Sequence, residues 1–180
     1  MKTFLDLARE RRSIRRYQPK PVEREKIERC LEAARLAPSA CNSQPWTFVA
    51  VSEPQQHAKL AAASFGGIYA PTAFAAQAPL IVAIVADKGS LATRFGNMVR
   101  DTSFYLIDIG IACGHFALAA AVDGLGACII GWFDEKGAAK ALGIPPGKKV
   151  ELLIACGYPD ETPDARPRRE FKDVCRFDKF

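Results

Sequence analysis

The feature that most constrains the fold is an apolar segment that runs from Asp101 to Val122. It is apolar on nearly every side and too long for a strand, so it forms either a buried central helix or a membrane span. Asp108 and His115 would lie seven residues apart on one face of that helix, and no aromatic belt flanks the segment. The sequence therefore favours a buried helix shared with a second subunit, and we do not expect a membrane partner.

Helices and strands interleave along the rest of the chain. Apolar residues from Val22 to Ala34 recur at helical spacing, which predicts a surface helix that ends at Ala37-Pro38. With 180 residues, no internal repeat and no separate linker, we expect a single domain over residues 1–180. The patterns predict further helices at Gln55–Ala63 and Asp134–Leu142 and strands at Trp46–Val51, Pro79–Ala86, Ala127–Ile130 and Val150–Ala155.

Six cysteines are scattered along the chain without a Cys-x-x-Cys pair. A chain of this length does not need disulfides, and no histidine or carboxylate stands at ligand spacing from any cysteine. We therefore expect free thiols, several of them acting as small core residues, and no metal site. The N-terminus lacks the unbroken apolar run of a signal peptide, which predicts a cytoplasmic protein.

The net charge of +5 is concentrated in two short arginine clusters. Five arginines lie between Arg9 and Arg16 and three between Arg166 and Glu170, while the remaining chain is nearly neutral. This distribution is typical of a protein that holds one compact anion, whereas a nucleic-acid surface usually spreads its charge along a groove. Nucleic acid is not the expected partner, although a basic nucleic-acid binder using both clusters is an alternative.

The first cluster, Arg11-Arg12-Ser13-Ile14-Arg15-Arg16-Tyr17, has the composition of a phosphate-binding segment. Guanidinium groups bind phosphate through two parallel hydrogen bonds, and a hydroxyl adds another. Alternate residues of an extended segment face the same way, so Arg11, Ser13 and Arg15 would converge. The second cluster, Arg166-Pro167-Arg168-Arg169, could add charge to the same anion. Each cluster could also be a solvated basic surface.

A loop from Pro38 to Pro45 carries two side-chain amides, Asn42 and Gln44. An amide both donates and accepts hydrogen bonds, as recognition of the edge of a heterocyclic ring requires. Taken alone, the loop could equally be a polar turn.

Together these segments resemble the nitroreductase family. The resemblance runs from about Leu7 to Phe177, including IDIGIACGHFALAAAVDGLGACIIGWF at Ile107–Phe133, and its most specific string is SACNSQPW from Ser39 to Trp46. It implies an α+β fold with a mixed sheet flanked by helices, a long central helix at a dimer interface and an extended C-terminal arm. It also implies a homodimer with one FMN at each end of the interface.

The resemblance assigns roles to individual residues. Arg11, Ser13 and Arg15 would hold the FMN phosphate and ribityl chain, helped by Arg166, Arg168 or Arg169. Arg12 would contact the flavin ring. Asn42 and Gln44 would bind the polar edge of that ring. The other subunit would contribute Pro38, Ser39 and Ala40, and a backbone N–H at Ile130 or Gly131 would point at flavin N5.

The implied activity is reduction of nitroaromatics, quinones or similar small electron-poor acceptors by NADH or NADPH in a two-step, ping-pong exchange. This suits a chain with only two histidines and no visible nucleophile–base pair, because the flavin itself supplies hydride chemistry. Alternatives are a dehalogenase, a flavin-processing enzyme or a non-enzymatic flavin-binding redox module. Cys41, Ile130 and the short chain depart from the family pattern, and we expect Phe65–Thr72 and Gly89–Met98 to form the pocket walls.

Overall fold

The computed structural model describes residues 3–87 and 102–180, and the statements that follow concern those residues. Helices and strands alternate as the sequence patterns predict. The helices are α1 (Phe4–Glu10), α2 (Arg24–Arg35), α3 (Pro54–Ser64), α4 (Phe104–Val122), α5 (Glu135–Leu142) and α6 (Phe171–Val174), with 3₁₀ helices at Ala40–Asn42 and Gly67–Gln77. The strands are β1 (Trp46–Val51), β2 (Leu80–Ala86), β3 (Gly126–Ile130) and β4 (Lys149–Gly157).

The four strands form one sheet in the order β1-β2-β4-β3, and each neighbouring pair is antiparallel. Within the described ranges, parallel pairing occurs at the bridge between Ser13 and Ala127. This bridge places the first cluster, the arginine segment Arg11–Tyr17, beside β3. This α+β architecture agrees with the expected fold class, and its mixed character depends on that bridge.

Helices cover both faces of the sheet. Leu80, Val82 and Ile84 of β2 pack in the core formed with α2 and α4. The alternate residues Ile81 and Ala83 pack in the core formed with α3 and α5. Every residue of β2 is buried, which explains why this strand is a continuous apolar run rather than an alternating one.

Helix α4 confirms the central helix predicted from the apolar segment, although the first predicted residue, Asp101, lies outside the described ranges. Its buried side includes Asp108, Cys113 and Phe116, and its His115 Nδ1 lies 3.2 Å from the Ala33 carbonyl oxygen of α2. By length and composition alone α4 could cross a membrane, a test that core helices of soluble proteins also pass. Ile107 is 52% exposed on the other side of this helix.

The C-terminal segment crosses back to the beginning of the chain and then continues as an arm. Phe171, Val174, Phe177 and Phe180 of this arm are exposed. A second subunit could bury these apolar side chains. The contact of the arm with a second subunit stays a prediction.

The six cysteines are free thiols, of which Cys30, Cys113, Cys128 and Cys156 are buried. This confirms the expectation that several act as small core residues. Among the described residues, no cluster of histidine, cysteine and carboxylate side chains could hold a metal ion.

Candidate functional site

The arginine segment follows the end of α1 and lies against β3 in an extended conformation. Ile14 of this segment is buried, and its N–H donates to the Ala127 carbonyl oxygen at 3.3 Å. A Cβ on Gly126 would lie 2.7 Å from the Ile14 Cβ, so glycine is needed for this close approach. With Ile14 facing the core, Arg11, Ser13 and Arg15 face away from it.

Tyr17 fixes the far end of the segment. Its hydroxyl oxygen lies 2.6 Å from the Ile14 carbonyl oxygen and 3.1 Å from that of Ala155, and the side chain is buried. Burial raises the pKa of this phenol far above its usual range, so it remains protonated.

Residues after β4 pair with the arginine segment and bring the two ends of the chain together. The N–H of Gln18 donates to the Tyr158 carbonyl, and that of Asp160 to the Arg16 carbonyl, each at 2.9 Å. A Glu161 carboxylate oxygen accepts the N–H groups of Arg15 at 2.5 Å and of Arg16 at 3.2 Å. Glu161 was not predicted from the sequence, because one acidic residue in a charged tail carries no periodic signal.

A cleft of about 440 Å³ lies between the two arginine clusters. Its lining includes six of the predicted cofactor residues, namely Arg11, Arg12, Ser13, Arg15, Arg166 and Arg168. Arg169 is not among the lining residues, and its Nη2 donates instead to the Asp173 carbonyl oxygen at 2.7 Å. The structure therefore brings together two clusters that, on the sequence alone, could have served one anion or been separate basic surfaces.

Arg12 contributes a donor that the described protein atoms leave unused. Its Nη1 donates to the carbonyl oxygens of Arg9 and Arg11, which fixes the guanidinium at the end of α1. Its Nε is buried and has no hydrogen-bond partner among the described residues. An unpaired buried donor is costly, so an acceptor from a ligand would satisfy a real need of this cleft.

The amide loop, which runs from Pro38 to Pro45, has a constrained backbone. Cys41, Asn42 and Gln44 adopt positive φ angles of 52°, 52° and 45°. Such conformations cost free energy for residues other than glycine and occur preferentially at ligand-binding sites. The Ser39 Oγ accepts the N–H of Gln44 at 3.0 Å, and Asp108 Oδ1 accepts that of Ala40 at 3.1 Å.

The amide loop and the first arginine cluster are next to different parts of α4. Asp108 holds the loop near the beginning of the helix, while Ala121 near its end lines a second cavity, of about 380 Å³, that shares Arg11 and Arg12 with the cleft. Thirteen residues of helix separate Asp108 from Ala121, or about 20 Å. Within one chain, the predicted loop residues are therefore not part of the cleft; these are Pro38, Ser39, Ala40, Asn42 and Gln44.

Ile130 and Gly131 lie where β3 ends, with Ile130 buried and Gly131 exposed. The next residue, Trp132, donates from its indole Nε1 to the Ile68 carbonyl oxygen at 3.0 Å. The predicted wall Phe65–Thr72 thus lies beside Gly131. The other predicted wall, Gly89–Met98, lies outside the described residues.

Comparison with known proteins identifies the family. The model of the nitroreductase family matches residues 8–158, which include the first arginine cluster, the amide loop and β3. The chain belongs to the nitroreductase family.

Individual members of the nitroreductase family align over most of the chain. A protein of Archaeoglobus fulgidus with the provisional name NADH dehydrogenase/NAD(P)H nitroreductase is 33% identical over 168 residues, covering 91% of this chain and 90% of its own. The solved FMN-dependent nitroreductase of Clostridium difficile R20291 superposes with a TM-score of 0.79 at 29% identity, covering 98% of this chain and 100% of its own. The iodotyrosine deiodinase of Thermotoga neapolitana is 24% identical over the full length of both proteins. Membership of this family makes the chain an oxidoreductase, with the particular substrate left to the proposal below.

Proposed function

We propose that this protein is an FMN-dependent NAD(P)H oxidoreductase that reduces nitroaromatics, quinones or similar electron-poor acceptors in a two-step exchange. The observation that carries the proposal is the cleft built from arginines of both chain ends, in a member of the nitroreductase family. A solved relative over nearly the whole chain is named FMN-dependent, which supports FMN as the cofactor here.

The residues of the cleft fit a phosphomonoester. Arg11, Arg15, Arg166 and Arg168 would neutralise its charge, and Ser13 would donate a hydroxyl. Arg12 Nε would supply the buried donor that lacks a partner. Six arginines line the cleft against one carboxylate, that of Asp164, and this excess of positive charge favours a multiply charged anion.

The remaining predicted residues would bind and orient the ring. Asn42 and Gln44 would pair with its polar edge, and the backbone at Ile130 and Gly131 would face its central nitrogen. FMN, when bound, supplies the hydride-transfer chemistry. The task of the chain is to hold the ring, exclude water and place donor N–H groups where negative charge develops.

We further propose that the protein is a homodimer that works in the cytoplasm without a membrane or nucleic-acid partner. In one chain the loop residues do not line the cleft: the loop is bound to α4 at Asp108, whereas Arg11 and Ser13 line a cavity with Gly114 and Ala117 of the same helix. Two copies packed in opposite directions through the exposed side of α4 would bring the loop of one beside the cleft of the other. Exposed apolar residues such as Leu106 and Ile107 support this arrangement.

Absorbance spectra of the purified protein test the cofactor and the electron donor together. We expect a flavin spectrum that NADH or NADPH bleaches and a quinone or nitroaromatic restores. A chain that binds no added FMN would overturn the proposal, whereas a flavin spectrum that neither nicotinamide bleaches would favour the non-enzymatic redox module. Release of iodide from an iodinated tyrosine, without turnover of quinones, would favour the dehalogenase alternative.

Replacement of Arg15 by alanine tests the phosphate cleft. The R15A variant loses a charge-assisted contact worth about 1.5 to 3 kcal/mol, so we expect FMN affinity to fall by roughly tenfold or more. The matched control is R24A, which removes an exposed arginine of α2 that pairs with Glu28 at 2.7 Å. Equal FMN affinities for both variants, measured by flavin fluorescence, would refute the assignment of the cleft to phosphate.

A further inference from the structure

Trp132 is a large apolar side chain that is held in place without being buried, since 55% of its surface is exposed. Its indole Nε1–H donates to the Ile68 carbonyl oxygen at 3.0 Å, and its own carbonyl oxygen accepts the Thr72 hydroxyl at 2.8 Å. The Tyr69 ring packs against it with centroids 5.3 Å apart and planes at 57°. The indole is thus oriented by its neighbours while much of its carbon surface stays open.

Ile68, whose carbonyl oxygen accepts the indole N–H, is itself 71% exposed, so a second large apolar residue is open to solvent next to Trp132. Adjacent large apolar side chains held exposed on an ordered scaffold do not help folding and are typical of binding surfaces. The indole N–H is already used, so Trp132 offers a ligand mainly carbon and π surface. Such a surface binds a flat apolar ring better than a charged or strongly hydrated group.

One 3₁₀ helix connects this surface with the arginine segment. The helix Gly67–Gln77 carries both Tyr69 and Phe74, and the Arg15 guanidinium carbon lies 5.7 Å from the centre of the Phe74 ring. Tyr69 and Phe74 are five residues apart, or about 10 Å at the rise of a 3₁₀ helix. The exposed aromatic surface is therefore close to the phosphate end of the proposed site, and it directly follows Gly131 in the chain.

We infer that Trp132 and Ile68 form the wall that contacts the electron acceptor, and that Trp132 determines specificity by selecting planar aromatic acceptors over small non-planar ones. The inference rests on the proposed function, because it requires a flavin beside Gly131. Beyond the proposed function, it identifies Trp132 as the residue that determines acceptor specificity, and it attributes this specificity to ring stacking rather than to charge.

A binding experiment without turnover tests the contact itself. The chain has two tryptophans, so W46F leaves Trp132 as the single indole reporter, and W132F leaves Trp46. Menadione, a planar quinone, is titrated into each protein with FMN present and no nicotinamide added. We expect saturable quenching of indole fluorescence in W46F and no saturable quenching in W132F. Equal quenching of the two variants would overturn the inference.

Kinetics with two acceptors test specificity. In W132A the KM for menadione should rise by roughly tenfold, as expected for loss of an aromatic contact, and in W132F it should rise less. The rate with ferricyanide, a small anion that does not stack, and the FMN content should stay unchanged in both variants. The control L36A changes Leu36, an apolar residue directly after α2 that is 63% exposed, and should not alter the KM or rate with either acceptor.

The outcomes separate this inference from the proposed function. A parent protein that neither retains FMN nor reduces ferricyanide overturns the proposed function and this inference with it. If the parent does both and W132A reduces menadione with an unchanged KM, the specificity role alone is refuted. It is refuted as well if W132A impairs both acceptors equally or dissociates the dimer, since Trp132 would then stabilise the protein or the subunit contact.

Discussion

Buried thiols make the stability of the folded chain depend on pH. Cys113 in α4 is 1% exposed, and burial raises the pKa of its thiol from 9.0 to about 12. The folded chain therefore keeps a proton that the unfolded chain loses above pH 9.0. It follows that the thiol stabilises the folded state fully below that pH, and that this contribution is lost as the pH rises through about 12.

We expect the free energy of unfolding to fall between about pH 8 and about pH 10.5, with Cys113 responsible for about 2 kcal/mol of the fall. Urea unfolding at the two pH values measures it. The variant C113A should be less stable at both but show a smaller fall, whereas C41A, which changes an exposed thiol, should show the parent's fall. A fall in C113A as large as that of the parent would contradict this role.

At the scale of residues, the roles of side chains were easier to predict from the sequence than their hydrogen-bond partners. Side-chain chemistry and alternation predicted that Arg11, Ser13 and Arg15 converge, with a solvated basic surface as the alternative, and the structure places all three in the lining of one cleft. Glu161 escaped notice because its partners, the N–H groups of Arg15 and Arg16, are about 145 residues away. Backbone donors are the same at every position, so no sequence pattern marks the carboxylate that will bind them.

At the scale of elements, the contact between the arginine segment and β3 depends on the absence of a side chain. Gly126 is buried, and a Cβ there would lie 2.7 Å from the Ile14 Cβ and closer still to Cγ1. Any side chain at this position would push Ile14 off the strand. Ser13 and Arg15 would move with it, because they flank Ile14.

We therefore expect G126A to lower the free energy of unfolding by about 1 to 3 kcal/mol, as overpacking does in other cores. It should also weaken FMN binding, measured by flavin fluorescence. The control is G66A, at a position with no atom within 4 Å of the added Cβ and an ordinary φ of −89°. If G126A bound FMN as tightly as G66A, the segment would not depend on this contact.

Periodicity predicted the elements well because burial imposes it. The strand Trp46–Val51 has the predicted limits, and β2 begins one residue after the predicted start. The strand order β1-β2-β4-β3 was not predictable in this way. Pairing of β2 with β4 joins segments about 70 residues apart, and an apolar run is equally compatible with several neighbours.

At the scale of the whole molecule, the exposed side of α4 is the surface on which a second copy would complete two sites. Ile107 is 52% exposed there and lies beside Asp108, which holds the amide loop. A charge placed in an apolar contact between subunits is desolvated without a partner, which weakens association. The variant I107E should therefore be monomeric and should also lose FMN.

Analytical ultracentrifugation and the flavin spectrum measure both consequences. The matched control is L36E, directly after α2, where Leu36 is 63% exposed, and this variant should remain dimeric with its FMN. A dimeric, flavin-loaded I107E protein would show that the subunits, if paired, meet elsewhere.

The pairing of residues 15–18 with residues 158–161 has a consequence for synthesis in the cell. The N-terminus of a polypeptide emerges from the ribosome first. The first arginine cluster can therefore meet the second only when Arg168 has left the exit tunnel. A nascent chain that stalls before that point has made nearly all of its sheet but lacks the arginines that the second cluster adds to the cleft. Cofactor loading would then act as a late checkpoint that only full-length polypeptides pass.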